Sequence, residues 1–567
     1  VPNPAAAETL GKALCGIPYP LRRSDDRRAL DEGEMYMRHR FSLVPAALLF
    51  VVLSLTAGAA QHQNTEADGK QAVQKSADAK KAEGLKLDDL FPKKSFFGKS
   101  ARAVAWSYDD RYLAYLWNAY DDKGYDLWVY DTKEKKAKRL TSPETFLQFD
   151  RDLKEIIERY KKDKEEDERR KKLSEEERKK LEEEDEKKER ERKEPLKEYA
   201  GVGEYKWANK ADELLLTYRG DIYRLVMGKE GLTRLTRTEE SEGELKYTKD
   251  DRGFYFRRGG GIFRMRFDGP EIVQINRPLP DGMQMTGYRL SPDESKVLFT
   301  AAKSTGKDRE VTYLTYRDRF AQAKTTSRAV ADDPFNSEQR AYILDLNDDP
   351  KATLLNDGKP WEIWKWPAGE DLGQFVINDE PWSPDSKNLV FATWKRNKRE
   401  LEVCIAYLTE KKVRTVYRTI HEGEHTTPGM TDPFYTKDGS RILLLLEQSG
   451  YRHVWMIDPL VEGATQITRG DFEVYPIKLT EDGKWLLVHS SREHPARMNF
   501  YRVDLADGAM TRLTSRDGNY GGGALSHDGE KLAVSFASWR SPNELYLIPK
   551  LGNHDEQAIT ASHPGTF

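Results

Sequence analysis

The sequence predicts an all-β protein, a β-propeller of eight four-stranded blades with one charged α-helical insert. Three observations predict it. Short runs rich in β-branched and aromatic residues recur with turn signals about every eight to twelve residues. These runs come in sets of three or four, and the sets share words such as Ser-Pro-Asp and Arg-Leu-Thr. Finally, one small antiparallel sheet cannot bury both of its faces, so neighbours must stack on it, and radial closure covers every face while protecting most edges.

The set from Asp432 to Thr468 is the fullest. It runs through Asp438-Gly439, an apolar strand Ile442 to Leu446, a turn at Ser449-Gly450, a strand Tyr451 to Asp458, and Gln466-Ile-Thr468. Asp438-Gly439 is predicted to be a two-residue hairpin turn, because glycine takes positive backbone angles without strain. Lys478 to Thr514 repeats the pattern around Glu481-Asp-Gly483. In chain order the first set is Val104-Ala-Trp106, Tyr112 to Tyr115, Asp126 to Asp131 and Ala137 to Thr141. Trp106 reads as a strand-end anchor and Asp109-Asp110 as the turn. Further sets begin at Tyr205-Lys-Trp207, more loosely at Tyr247, at Leu290-Ser-Pro-Asp293, at Trp382-Ser-Pro-Asp385 and at Ala524.

Two stretches break the rhythm. Residues 146–197 are almost wholly charged beyond Tyr160, yet open with Leu153, Ile156, Ile157 and Tyr160, the spacing of one helical face that can dock on a blade. Ser174 and Glu177 spell a capping box for a second helix, and Pro195 closes the insert. The insert reads either as a solvated helical hairpin held by Glu–Lys pairs or as an arm reaching over the propeller mouth or into a second subunit. Lys303 to Gln339 is predicted to be a loop over the channel.

Lys and Arg total 93 against 96 Asp and Glu, a net charge of −3, which recommends neither nucleic acid nor an anionic membrane as partner. Cys15 and Cys404 are too few for a disulfide framework. At the amino end, Met37-Arg-His-Arg40, the apolar run Phe41 to Leu55 and the small residues around Ala57 to Ala60 read as an export signal. The expected organisation is a mis-started leader at 1–36, a signal peptide at 37–60, a flexible spacer at 61–86 and the propeller at 87–567. The mature protein is then periplasmic or secreted, with no membrane partner once the signal is cleaved.

Other chemical motifs are outweighed by context. His421-Glu-Gly-Glu-His425 has the letters of a zinc-binding helix, but Gly423 lies inside it and Thr426-Thr-Pro428 follows, so it reads as a loop. Arg257-Arg258 before Gly259-Gly-Gly261 lacks the Lys-Ser/Thr of a phosphate loop. Neither a metal nor a cofactor is expected.

The run Asp432 to Asp458, with Ser449-Gly-Tyr-Arg-His453, then Ile467-Thr-Arg-Gly470 and Phe472-Glu-Val474, resembles the last third of the propeller of dipeptidyl-peptidase-IV-like serine peptidases of the prolyl oligopeptidase clan. Leu87-Asp-Asp-Leu-Phe-Pro92 resembles the start of bacterial members. The resemblance implies a non-catalytic domain that gates and binds peptide substrates, followed by an α/β-hydrolase domain that carries the triad. No Gly-x-Ser-x-Gly occurs in the sequence, which stops at Phe567 about where that domain would begin, so this chain alone is not expected to form an acyl-enzyme. A fragment or interrupted gene is the first expectation. The alternative is a stand-alone propeller that binds a protein or glycan partner.

The resemblance also implies that a Glu pair binds the substrate's free amino terminus, and the matching place holds Glu239 and Glu240. From the residues alone the same pair reads as two turn carboxylates near Arg234 and Arg237. Homodimerisation is a further expectation.

Overall fold

The computed structural model describes residues 95–563, apart from 96, 193, 270, 280–281, 305–309, 317–318, 328–336, 347–358, 367–372, 396–398 and 421–431. Eight four-stranded antiparallel sheets follow one another, each with its strands in chain order. Blades 1 to 8 occupy residues 102–139, 205–234, 242–274, 284–366, 373–420, 434–466, 474–512 and 519–558. Each blade is one continuous stretch of chain, so the ring closes by packing. Trp106, Leu113 and Tyr115 of blade 1 form a cluster with Ala533, Leu545 and Leu547 of blade 8. Burial follows strand order within a blade. Ile442–Leu446, a second strand, is buried throughout, whereas Lys136–Arg139, a fourth strand, alternates exposed and half-buried residues, as an outer rim does.

The turn between the first and second strands carries the repeat. In blade 6, Thr436 Oγ1 donates to Asp438 at 2.6 Å and accepts the N–H of Arg441 at 3.1 Å, while Asp438 accepts the N–H of Ser440. The same Ser/Thr-x-Asp clamp occurs at Ser107, Thr248, Ser291, Ser383, Thr480 and Ser526. Asp438-Gly439 is therefore part of a six-residue loop and not the two-residue hairpin the dipeptide predicts. The hydroxyl supplies the hydrogen bonds that a tight turn would take from its own backbone.

The residue after the clamp's Asp lies in the left-handed region, at φ 57° for Asp110, 55° for Asp251, 59° for Glu294 and Ser386, and 70° for Gly439. Where it has a side chain, that side chain clasps the turn of the preceding blade. The Asp251 carboxylate accepts the N–H groups of Asn209 and Lys210, Glu294 accepts that of Lys249, and Ser386 accepts that of Asp293. Asp110 closes the ring with the same device, accepting from His527 N at 2.8 Å, His527 Nδ1 at 2.8 Å and Asp528 N at 2.9 Å. Burial pushes the Asp110 pKa up, but these bonds outweigh it and hold the carboxyl below its usual range. Asp110→Ala should cost about 2–3 kcal/mol in urea unfolding, the loss of charge-assisted hydrogen bonds plus left-handed strain. Asp110→Gly should cost about 1 kcal/mol less, because glycine removes the strain but not the loss. Equal costs would show that the backbone angle plays no part.

The Arg-Leu-Thr word acts at the outer strands. Thr141, Thr236, Thr468 and Thr514 each accept the backbone N–H of a third-strand residue, Leu127, Ile222, Val454 and Phe500. The word's Arg pairs with the carboxylate that begins the third strand, as Arg139 does with Asp126 at 2.5 Å and Arg234 with Asp221.

The charged insert holds helices α1 (Pro143–Phe146), α2 (Leu153–Arg170) and α3 (Glu175–Glu191). Phe146, Leu153 and Ile156 are buried in the cluster of blades 1 and 2, with Ile157 and Tyr160 packed against it, so the predicted face is the docking face. Ser174 and Glu177 form the capping box. Arg170 bonds Glu166 at 2.5 Å and Asp185 at 2.6 Å, which ties α2 to α3. Lys303 to Gln339, expected to be a loop, instead contains a hairpin, Glu310–Thr315 paired with Gln322–Ser327. Its strands alternate Thr and apolar residues but every side chain faces solvent or nearly so, which a buried-strand pattern does not flag.

A four-stranded meander puts its 1–2 and 3–4 turns at one end and its 2–3 turn and the link to the next blade at the other. The clamp turns therefore share one face of the ring. The helical insert, the blade 4 hairpin and the chain leaving blade 8 share the opposite face, called below the insert face.

Candidate functional site

Glu239 and Glu240 lie on the insert face, in the link between the outer strand Thr233–Arg234 of blade 2 and the inner strand Glu242–Tyr247 of blade 3. Both ends of the link are fixed. Thr236 Oγ1 accepts the N–H of Ile222 at 2.8 Å, Thr238 N donates to Asp221 at 2.9 Å, and Glu242 N donates to Gly220 O at 2.8 Å. Between these anchors the chain bends so that the two carboxylates are exposed. Arg234, expected nearby as a partner, is turned to Asp221 and Thr236 O instead. Neither Glu239 nor Glu240 has an ion pair among the described residues. The Glu240 carboxylate stands over the Arg258-Gly259-Gly260 turn, with Oε2 3.0 Å from where a Cβ on Gly259 would sit, so that turn's glycine keeps the space open.

Two more carboxylates follow at once. Glu242 is buried, accepts a hydrogen bond from Thr236 Oγ1, and pairs with Arg258 at 3.3 Å. Burial raises its pKa, with the bonds from Thr236 and Arg258 opposing. Glu244 pairs with Arg257 at 2.9 Å. The run Glu239-Glu-Ser-Glu242-Gly-Glu244 thus divides into two unpaired exposed acids and two that hold the inner strand to its neighbour. The sequence reading missed the second pair, although four acids in six residues was the available signal. Chemically, the exposed pair can accept hydrogen bonds from an ammonium group, which has three donors and no acceptor.

The motif that carries the family resemblance is structural. His453 is fully buried, with Nδ1 3.0 Å from Thr468 Oγ1 and Nε2 2.9 Å from Gly470 O. Because Gly470 O can only accept, Nε2 carries the proton. Thr468 then donates to Nδ1 while accepting the N–H of Val454, so each polar atom has a partner. Phe472 meets the imidazole edge-on at 5.4 Å, and Arg452 pairs with Glu447 at 2.6 Å over the Tyr475 ring. These residues fasten blade 6 to the start of blade 7. Ser440 donates to Asp438 at 2.7 Å in its clamp turn, the turn role expected of it. Cys404 is a buried free thiol, its pKa pushed up to about 11 by burial. His421 to His425, the leader, the signal and the spacer lie outside the described residues.

Residues 284–543 match the family model for the dipeptidyl peptidase IV (DPP IV) N-terminal region. Dipeptidyl-peptidase 5 of Porphyromonas gingivalis is 23% identical over 366 residues, 60% of this chain and 50% of that protein. Prolyl endopeptidase FAP of Mus musculus is 29% identical over 80 residues, 14% of this chain and 10% of that protein. The matches thus span half or less of these curated relatives. The crystal structure of P. gingivalis dipeptidyl peptidase 4 superposes with a TM-score of 0.53 at 15% identity, covering 82% of this chain and 60% of that one, a likeness of fold. Taken with the eight-bladed ring and the fastening at His453, the family match makes this chain the bearer of a dipeptidyl peptidase IV-like N-terminal propeller region.

Proposed function

We propose that this propeller gates and binds short peptides for proteolysis by an α/β-hydrolase domain. The observation that carries the reading is the exposed, unpaired pair Glu239 and Glu240 on the insert face, the face from which the chain leaves blade 8. A domain continuing from blade 8 would meet that face, and a peptide held by its ammonium at Glu239 and Glu240 would lie between the two. Calorimetry with a short proline-containing peptide, its amino terminus free or acetylated, tests the pair. The free peptide should bind and the acetylated one should not, and Glu239→Gln/Glu240→Gln should weaken the free peptide about tenfold or more, the scale of a charge-assisted contact. Equal binding of both peptides would sink the assignment. This chain alone should not turn over an aminoacyl-prolyl chromogenic substrate. Export through the 37–60 signal belongs to the same reading, and a mature amino terminus before Ala57 would overturn it.

One observation favours a second reading, the propeller as a binding scaffold. The blade 4 hairpin projects with Tyr313, Leu314, Tyr316 and Phe320 exposed. A two-stranded hairpin has open edges, and such an edge is self-complementary about a two-fold axis, so its occupant is a second copy of the chain. Sedimentation should give a dimer that Leu314→Lys/Phe320→Lys turns into a monomer.

A further inference from the structure

On the face opposite the inserts, the inner strands of blades 2, 3 and 4 place a cation at one register, two residues before the clamp turn: Lys206, Lys246 and Arg289. In blade 3 this register continues outward across the sheet. Lys246 is paired with Tyr255 and Tyr255 with Arg264, so these three side chains form a row on one side of the blade. That side faces blade 4, because Tyr255 packs in one cluster with Tyr288 and Phe299. Arg266, two residues beyond Arg264, extends the row toward the turn. Here the seam opens into a cavity of about 390 Å³ lined by Tyr255, Arg264, Arg266, Lys249 and Glu294, with Lys210 of blade 2 at its edge and Thr248 and Asp250 in its wall.

The acids of this groove are already engaged. Asp250 accepts from Thr248 Oγ1 and from Arg252 N, and Glu294 accepts from Lys249 N. Asp268 holds Arg266 at 3.0 Å, and Asp379 holds Arg289 at 2.5 Å. Lys210, Lys246 and Lys249 have no ion pair among the described residues. Lys246 reaches solvent but is crowded: burial first, and then the Lys206 ammonium, lower its pKa, with Glu294 and Glu380 opposing and Arg289 adding to the fall. An anion placed there would relieve that crowding.

We propose that the groove between blades 3 and 4 is a binding site for a carboxylate-bearing peptide segment, its acidic groups held by Lys210, Lys246 and Lys249 with Arg264 and Arg266 behind them. A peptide fits better than a nucleic acid. Tyr255, the aromatic ring in the groove, is only 4% exposed and offers no face for a base to stack on, and the chain carries a net −3. Because Lys246 stands on the inner strand, the groove runs from the axis outward, so an extended segment could lie along it. The site is independent of the peptidase reading, and its test uses binding and no turnover.

Calorimetry at low salt compares an oligoglutamate peptide, an oligoglutamine peptide and an oligothymidylate on the full chain. Oligoglutamate should bind, with an affinity that falls as salt rises, and oligoglutamine should not. Lys246→Ala/Lys249→Ala should weaken binding about tenfold, as expected for two lost cation contacts. Lys210→Ala/Lys249→Ala, confined to exposed turn residues, should weaken it similarly and guards against a folding defect in the first variant. Unchanged affinity in both variants, binding of oligoglutamine as tight as that of oligoglutamate, or tighter binding of oligothymidylate would each overturn the proposal.

Discussion

Asp126→Ala will cost the propeller about 3–5 kcal/mol, the scale for removing one partner of a buried ionic network. Asp126 begins the third strand of blade 1 and is fully buried. Its carboxylate takes Arg139 Nη2 at 2.5 Å, Tyr199 Oη at 2.5 Å, Asn118 Nδ2 at 2.9 Å and Thr141 Oγ1 at 3.0 Å. Without it, the buried Tyr199 hydroxyl and the Asn118 amide lose an acceptor that water cannot easily replace, and Arg139 keeps only its contact with Asp122 and its bond to Thr141 O. Tyr199 is where the chain re-enters the ring after the helical insert, so the damage should be local in a telling way. Hydrogen exchange should accelerate first at residues 126–141 and 199–202, ahead of blades 4 to 8. Asp126→Asn keeps the shape and one acceptor but not the charge, and should fall between wild type and alanine. A loss under about 1 kcal/mol for Asp126→Ala would mean that the network is solvated and not structural.

This network marks the boundary between what the sequence disclosed and what it hid. Arg139-Leu-Thr141 was visible as a closing word, and Asp126 as the start of a strand, but their meeting depends on strand register, which no local pattern states. The eight sets, the docking face of α2 and the Ser174 capping box were legible because each rests on residues within one or two turns of one another. The inter-blade clasp was not. Its residue is Asp110, Asp251, Glu294, Ser386 or a bare glycine in different blades, so no word repeats, and only the shared left-handed backbone reveals one position. Lys206, Lys246 and Arg289 are far apart in sequence and come together only once the inner strands are aligned. At the candidate site the sequence placed Glu239 and Glu240 in a turn, but could not see that Arg234 turns away from them, since its partner Asp221 lies across a strand pair.

Acid should unfold this protein earlier than its carboxylates alone would dictate, through two buried histidines. His453 has both ring nitrogens engaged within the fold, and His489 donates to or accepts from the wall of its site through Nε2, 2.7 Å from Tyr520 O, while its ring stacks on Phe500 at 4.8 Å. Since a carbonyl only accepts, Nε2 of His489 is the protonated nitrogen and the ring is neutral. Burial lowers the pKa of both, the bonds to Gly470 O and Tyr520 O opposing only in part. Below about pH 6.5 the unfolded chain takes up a proton at each imidazole while the folded chain does not, so stability is complete above that pH and falls as pH drops toward the folded values. The slope should approach about 1.4 kcal/mol per pH unit for each histidine, about 2.7 for the pair, before any carboxylate contributes. His489→Gln keeps a donor for Tyr520 O and cannot titrate, so it should remove about half of that slope while lowering stability at neutral pH by about 1–2 kcal/mol through lost packing on Phe500. Urea unfolding between pH 5 and 8 reads both quantities. A flat profile in wild type, or a slope left whole in His489→Gln, would mean that these imidazoles are already protonated in the fold, and the tautomers assigned from Gly470 O and Tyr520 O would be wrong.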